Sequence, residues 1–403
     1  MSSETELAAV TESPSSVNRT IAIVKTNKDL LHRFVSYGEF LGIIVDVFYD
    51  LGHSRKRIAI KNLVKRNSSE TVEPVRDAPS PDLNVNLASA VDLRKFFPTK
   101  PFPNHGYIGT VRGTDYPVPI DLEKLCYRNA AVLAGTGHGK STLAALLACE
   151  LYASGKRIVV IDPTGEWKRI VRQLAPSLSI PEGSIKCDVI PPIGDNDTLL
   201  YETSRRILIA ALRPNSDLFE IVDVSFPDWI GSILAKKKKQ RMMAWRIEED
   251  LISQASSHFA ETEKTYDFKT CVILEEAHDF VPAKPMHDDQ EALTETFAVA
   301  TKEFRKHGLG HIFIDQSLRT ISPELQIQTF LFGSTNAPAD LLFLRKQLGE
   351  DIASAIQRTS ATLTRTWVAF GEATPVPNIP WELEMPNSSR IPELLKTTSQ
   401  VTQ

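Results

Sequence analysis

The residues with the clearest chemistry are Ala134–Ser141, which read Ala-Gly-Thr-Gly-His-Gly-Lys-Ser. Gly135, Gly137 and Gly139 let backbone N–H groups converge on a phosphate without Cβ clashes, and a helix starting at this point adds the partial positive charge of its N-terminus. In such a loop Lys140 reaches the β- and γ-phosphates and the Ser141 hydroxyl is a Mg²⁺ ligand, with Thr136, His138 and Thr142 alongside. The context fits: the apolar run Ala130–Leu133 leads in, and Leu143, Leu146, Leu147 and Leu151 give the next segment a helical stripe ending at Ser154-Gly155. A bare glycine-rich turn has no use for a lysine and a hydroxyl in that order, so a nucleotide phosphate is the expected ligand.

Acids downstream point from binding to hydrolysis. The apolar run Val272–Leu274 ends in Glu275 and Glu276. There Glu275 would hold Mg²⁺ and Glu276 would orient and deprotonate a water at the γ-phosphate. Two ordinary acids at a strand end are the plain alternative, which the phosphate loop outweighs. Asp162 closes the run Arg157–Asp162 ahead of Pro163; it reads equally as a second acid near the metal or water and as a helix-capping turn residue. Gln316 ends the run His311–Asp315, either as an amide beside the γ-phosphate or as a polar strand end. Arg305 and Lys306, just before Gly308, either complement a helix C-terminus or supply a cation to a neighbouring subunit.

These residues must be positioned by alternating strands and helices. Runs at 130–133, 157–162, 220–224, 270–275 and 311–316 are short, β-rich and separated by helical patterns, which predicts a parallel sheet with helices on both faces. Thr362–Phe370 is a last strand before a proline-rich tail. Upstream, residues 1–18 read as disordered and 19–70 as a small barrel-like β domain. Eight prolines from Pro74 to Pro119 suggest an extended connector over 71–106. The segments 107–111 and 118–120 read as edge strands. The ATPase-like domain is thus expected over 107–385, with a flexible tail over 386–403.

Bulk composition narrows the class. With 403 residues and 42% hydrophobic content the chain can hold two or three cored domains. A net charge of −4 excludes a globally basic nucleic-acid coat, so any DNA contact must be local. Cys126, Cys149, Cys187 and Cys271 have no metal spacing, which predicts thiols in a reducing cytoplasm and no zinc. No apolar run matches a bilayer and no signal-peptide core is visible, so no membrane association is expected.

Taken together, residues 107–345 resemble the HerA branch of the HerA/FtsK translocases, among the RecA-like P-loop ATPases. The likeness is carried by Ile108-Gly109 with Asp121-Leu122, by Arg128–Leu133 leading into Gly135–Ser141, and by Asp162–Trp167. Leu274–His278 and Glu303–Gly308 followed by Asp315-Gln316-Ser317 complete it. His138 in place of a serine and Asp279 after His278 depart from the usual pattern. The resemblance implies ATP as the nucleotide with Mg²⁺, a homohexameric ring with an N-terminal β-barrel, double-stranded DNA in the pore, and a NurA-like nuclease or other effector as partner. It also implies that Arg128, twelve residues before Lys140, and Arg305 are positive groups at the subunit interface, and it adds weight to Asp162. Lys236–Lys239 then reads either as a DNA-facing run or as a solvated helix start. The expected function is a DNA-translocating or unwinding ATPase. The alternatives are an ATP-binding assembly subunit of a nuclease or defence complex and a secretion- or conjugation-type ATPase.

Overall fold

The computed structural model describes residues 9–12, 16–24, 30–50, 55–67, 72–97, 104–189, 202, 219–226, 232–335, 337–361, 365–377 and 379–385. It divides into two compact units: residues 1–100 with 110–117, and residues 101–109 with 118–403.

The first unit is a closed barrel. Its strands are β1 (Ala9–Glu12), β2 (Arg19–Val24), β3 (Phe34–Tyr37), β4 (Phe40–Asp50), β5 (Arg55–Arg66), β6 (Val72–Pro74) and β7 (Asn84–Leu87). Around the barrel they run β1-β7-β3-β4-β5-β2 and back to β1, with β6 laid along β5. Alternating residues such as Val35, Ile44, Ile58, Ile60 and Val85 point inward and pack together. Irregular register between β4 and β5 at Leu41/Gly42 and Ile44/Asp46 bends these long strands enough to close. Gly42 is obligatory there, because a Cβ would run into the Ile60 side chain and the Lys61 carbonyl.

The sequence boundaries for this domain shift as a result. β1 falls within the segment expected to be disordered, while β7 and the helix Ala90–Phe96 fall within the expected connector. Strands of four residues give almost no periodic signal, yet the barrel cannot close without them, since β7 bridges β1 and β3. Ser89 caps the short helix in a reciprocal box with Asp92, which lets a helix form despite the surrounding prolines.

The second unit is an eleven-stranded sheet with helices, formed by β8 (His105–Val111), β9 (Pro117–Asp121), β10 (Ala130–Leu133), β11 (Arg157–Asp162), β12 (Ile185–Val189), β13 (Phe219–Asp223), β14 (Thr270–Leu274), β15 (Leu309–Asp315), β16 (Thr329–Phe332), β17 (Thr366–Gly371) and β18 (Trp381–Glu384). The order is β12-β13-β11-β14-β15-β10-β16-β17-β18-β8-β9. From β12 to β16 all pairs are parallel, and β17 and β18 turn antiparallel. This is the expected parallel core of a P-loop ATPase fold, with β9 at the sheet edge and β8 next to it. β10, β14 and β15 are buried at every position, as strands covered on both faces must be. Residues 362–364 and the tail 386–403 lie outside the described residues.

The helix Lys140–Ala153 departs from the sequence reading. Leu143 to Cys149 are all buried, not only the leucine stripe, so the helix is enclosed on nearly every side. Cys126, Cys149 and Cys271 are free and buried, and Cys187 is partly exposed. Among the described residues no helix is long and apolar enough to cross a membrane.

Enclosure has a titration consequence. Glu150 on this helix is 8% exposed, and its Oε1 has no hydrogen-bond partner among the described residues. Burial pushes its carboxyl up from 4.5 to about 7. The folded state therefore keeps the proton to higher pH, so this group costs nothing below about pH 4.5 and costs stability as pH rises to 7 and above. Glu150→Gln is expected to stabilise the protein by on the order of 2–3 kcal/mol at pH 8 and hardly at all at pH 4, read by urea unfolding. An equal gain at both values would contradict the account.

Candidate nucleotide site

Parallel register brings the reactive residues to one edge of the sheet. Leu133 pairs with Asp315 and Ile161 with Leu274, so the segments leaving β10, β11, β14 and β15 open into one crevice at the strand C-terminal ends. β15 lies between the phosphate-loop strand β10 and the carboxylate strand β14.

The loop itself is built for phosphate. Gly137 and Gly139 have φ of +79° and +83°, which only glycine adopts without strain, and no heavy atom lies within 4 Å of where a Cβ would stand on either. The loop is pinned at its start by Ala134 N–H to the Asp315 carbonyl and Gly135 N–H to the Ser334 carbonyl. Gly135 and His138 shape the loop without lining the cavity: the His138 ring folds back to 3.1 Å from the Thr136 carbonyl. Thr136, Gly137, Gly139, Lys140, Ser141 and Thr142 line a cavity of about 780 Å³ together with Glu275 and Glu276. That volume suits a nucleotide.

Glu275 is the most constrained acid. It is 2% exposed; Ser141 Oγ donates to its Oε1 at 2.9 Å and Trp167 Nε1 to its Oε2 at 2.8 Å. Burial still pushes its carboxyl up to about 7. A hydroxyl and a carboxylate side by side are the hard oxygen donors that Mg²⁺ takes, so Ser141 and Glu275 fit the expected metal ligands. Glu276 differs in backbone and surroundings. Its φ and ψ of 50° and 53° are left-handed, a costly conformation for a residue with a Cβ. This turn directs the carboxylate to Lys140, whose Nζ lies 3.8 Å from Oε1, and to His278, whose Nδ1 lies 3.5 Å from Oε2.

Asp162 is buried and its carboxylate serves the turn that follows. It accepts from the backbone N–H groups of Thr164, Gly165 and Trp167 and from the Thr164 hydroxyl. It does not line the cavity; Thr164 and Arg169 do. Its position favours the capping alternative, with an indirect role: the turn it holds presents Trp167 to Glu275. Gln316 is exposed and outside the cavity lining, and the acid before it is the organised one. Asp315, 1% exposed, accepts from the His278 N–H at 2.6 Å and its Nδ1 at 3.0 Å. Arg128 and Arg305 are half-buried and line no part of this cavity, whereas Arg365, unremarked in the sequence, does. Trp167, Arg169 and Arg365 carry no motif spacing, so sequence reading missed them; only Trp167 had a signal, as the last residue of the Asp162–Trp167 box.

Residues 106–367, more than half of the chain, match the family model described as the central domain of helicase HerA. The chain belongs to the HerA central-domain family. Two relatives from Methanocaldococcus jannaschii are similar to it. One, probable helicase MJ1565, is 27% identical over 224 residues, covering 55% of this chain and 35% of the relative. The other, a probable DNA double-strand break repair helicase HerA, is 29% identical over 155 residues, covering 38% of this chain and 28% of the relative. The chain thus spans about a third of the length of these curated relatives. Among solved structures, VirB4 of Thermoanaerobacter pseudethanolicus is similar with a TM-score of 0.45 and 15% identity, over 72% of this chain and 98% of that one.

The capping account of Asp162 is testable in this HerA-type domain. Asp162→Ala leaves three backbone N–H groups without their acceptor, that of Trp167 buried, and is expected to cost about 1–3 kcal/mol in urea unfolding, with Asp162→Asn costing less. Wild-type stability in the alanine variant together with lost Mg²⁺-nucleotide binding would make Asp162 a metal ligand instead.

Proposed function

We propose that the chain is an Mg²⁺-dependent ATPase whose hydrolysis drives movement along, or unwinding of, double-stranded DNA within a homohexameric ring. The observation that carries the chemistry is the convergence of Lys140, Ser141, Glu275 and Glu276 on one cavity at the sheet edge. Lys140 Nζ neutralises charge on the β- and γ-phosphates. Glu276 orients a water for in-line attack on the γ-phosphorus; as the new P–O bond forms, the bond to the β–γ bridging oxygen breaks, ADP leaves, and the water's proton passes to the Glu276 carboxylate. Mg²⁺, held by Ser141 and Glu275, supplies further charge neutralisation to the phosphates when bound.

Arg128 and Arg305 lie outside the cavity of their own chain, which suits cations supplied to a neighbour's nucleotide in a ring. Lys236–Lys239 sits in the first turns of the helix Ile233–Thr262, started by Ser232 Oγ accepting from Ala235 N–H, and not in a loop ahead of it. Lysine is a good helix former, so once Ser232 caps the segment the run joins the helix. Repeated around a ring, it offers phosphate contacts to duplex DNA. A NurA-like nuclease or another effector is the proposed partner.

Steady-state ATP hydrolysis with and without duplex DNA tests this reading. Glu276→Gln is expected to lower turnover about 10²–10⁴-fold while nucleotide affinity stays. Wild-type turnover should rise with duplex DNA in a particle of six protomer masses, and DNA affinity should fall steeply with salt. Ring formation and nucleotide binding with turnover indifferent to DNA would instead mark an assembly subunit.

A further inference from the structure

The phosphate site does not end at Glu276. The His278 imidazole stands among three carboxylates: Nδ1 is 3.0 Å from Asp315 and 3.5 Å from Glu276, and Nε2 is 3.7 Å from Asp279. Asp279 in turn is held by Lys237 Nζ at 2.6 Å. A continuous series of charged contacts therefore runs from Lys140 through Glu276, His278 and Asp279 to Lys237.

The far end of that series is fixed to the sheet edge. Gln240 Nε2, one turn beyond Lys237, donates to the Val224 carbonyl at 2.8 Å, and Arg241 pairs with Asp289 at 2.6 Å. Met243, Ile247 and Leu251 seat the middle of the helix in the core. Residues 232–239 at its start include none that is buried, and Lys237, with 41% of its side chain exposed, is open to solution on one side and to Asp279 on the other.

We infer that His278, Asp279 and Lys237 are positioning residues for Glu276, tying the water-activating carboxylate to the lysine run. With Lys237 paired to Asp279, the imidazole stays between Asp315 and Glu276. When a polyanion draws the Lys237 ammonium away, the Asp279 carboxylate is left without its cation, and the nearest positive group is the His278 ring. Turning the ring toward Asp279 withdraws Nδ1 from Glu276 and frees that carboxylate to take the water's proton, the direction that DNA-stimulated turnover requires. The hydrogen bond to Asp315 raises the His278 pKa, which keeps the ring cationic over a wider pH range and strengthens both alternatives. The inference rests on the proposed function for what Glu276 does and for duplex DNA as the polyanion; the contacts themselves do not depend on it.

The test is steady-state ATP hydrolysis by the full chain for wild type, Lys237→Met, Lys237→Arg and Asp279→Asn, with Lys346→Met as an exposed lysine elsewhere. Lys237→Met is expected to raise kcat without DNA by about fivefold or more, toward the DNA-stimulated value, with KM nearly unchanged; Lys237→Arg should keep the low basal kcat, and Asp279→Asn should remove the stimulation by DNA. Lys346→Met should match wild type. Effects on KM alone, or kcat effects no larger than those of Lys346→Met, would overturn the inference. Duplex DNA added to each protein separates the two readings. A Lys237 effect on kcat in a wild-type protein that ignores DNA leaves the linkage standing and removes DNA as its ligand. The His278 ring-nitrogen shifts, followed by NMR, should move in Lys237→Met; shifts that stay put would overturn the linkage whatever the turnover.

Discussion

A carboxylate removed from water must find hydrogen bonds or a cation, or else give up its charge. Glu275 finds two donors, the Ser141 hydroxyl and the Trp167 indole. Those donors come from the segments leaving β10 and β11, and the acid itself leaves β14. One buried carboxylate thus binds three strand ends together, and the shape of the phosphate crevice follows from it. Burial leaves this carboxyl with a tendency to hold a proton near pH 7, which a divalent ion at the site would displace.

Around that clamp the neighbours divide their tasks. Asp162 spends its carboxylate on the turn that delivers Trp167, so a residue that resembles a second catalytic acid acts by placing an indole. Glu276, one position from the clamp, is turned the opposite way by a left-handed backbone and meets Lys140 across the cavity. Two adjacent acids can take different roles because the backbone between them sends one into the protein and the other toward the phosphates. Asp315, contributed by the strand inserted between β10 and β14, fixes His278 beside Glu276 and gives the site a second layer.

Much of this was legible in the sequence because it is local. The loop, its helix, the paired acids and the alternation of strands with helices are all encoded within stretches of ten to twenty residues. What was hidden is non-local. β1 and β7 carry four residues each and gain meaning only when the barrel closes around them. Arg169 and Arg365 enter the cavity lining through the order of strands in the sheet, which no spacing rule reports. The dual reading of Asp162 was a correct ambiguity, since the same residue type in the same place serves either chemistry until its hydrogen-bond partners are seen. The lysine run was legible as charge and, in one of its two readings, as a helix start; the cap at Ser232 places it within the helix.

The most direct test of the clamp is calorimetric titration of a non-hydrolysable ATP analogue with Mg²⁺ at pH 7, in two buffers of different ionisation enthalpy. If Ser141 and Glu275 take up the metal, binding must displace the proton that Glu275 partly retains, releasing about half a proton per nucleotide in wild type. The same titration of Glu275→Gln should show no such release. Tight Mg²⁺-dependent binding with equal proton release in both proteins would contradict the account.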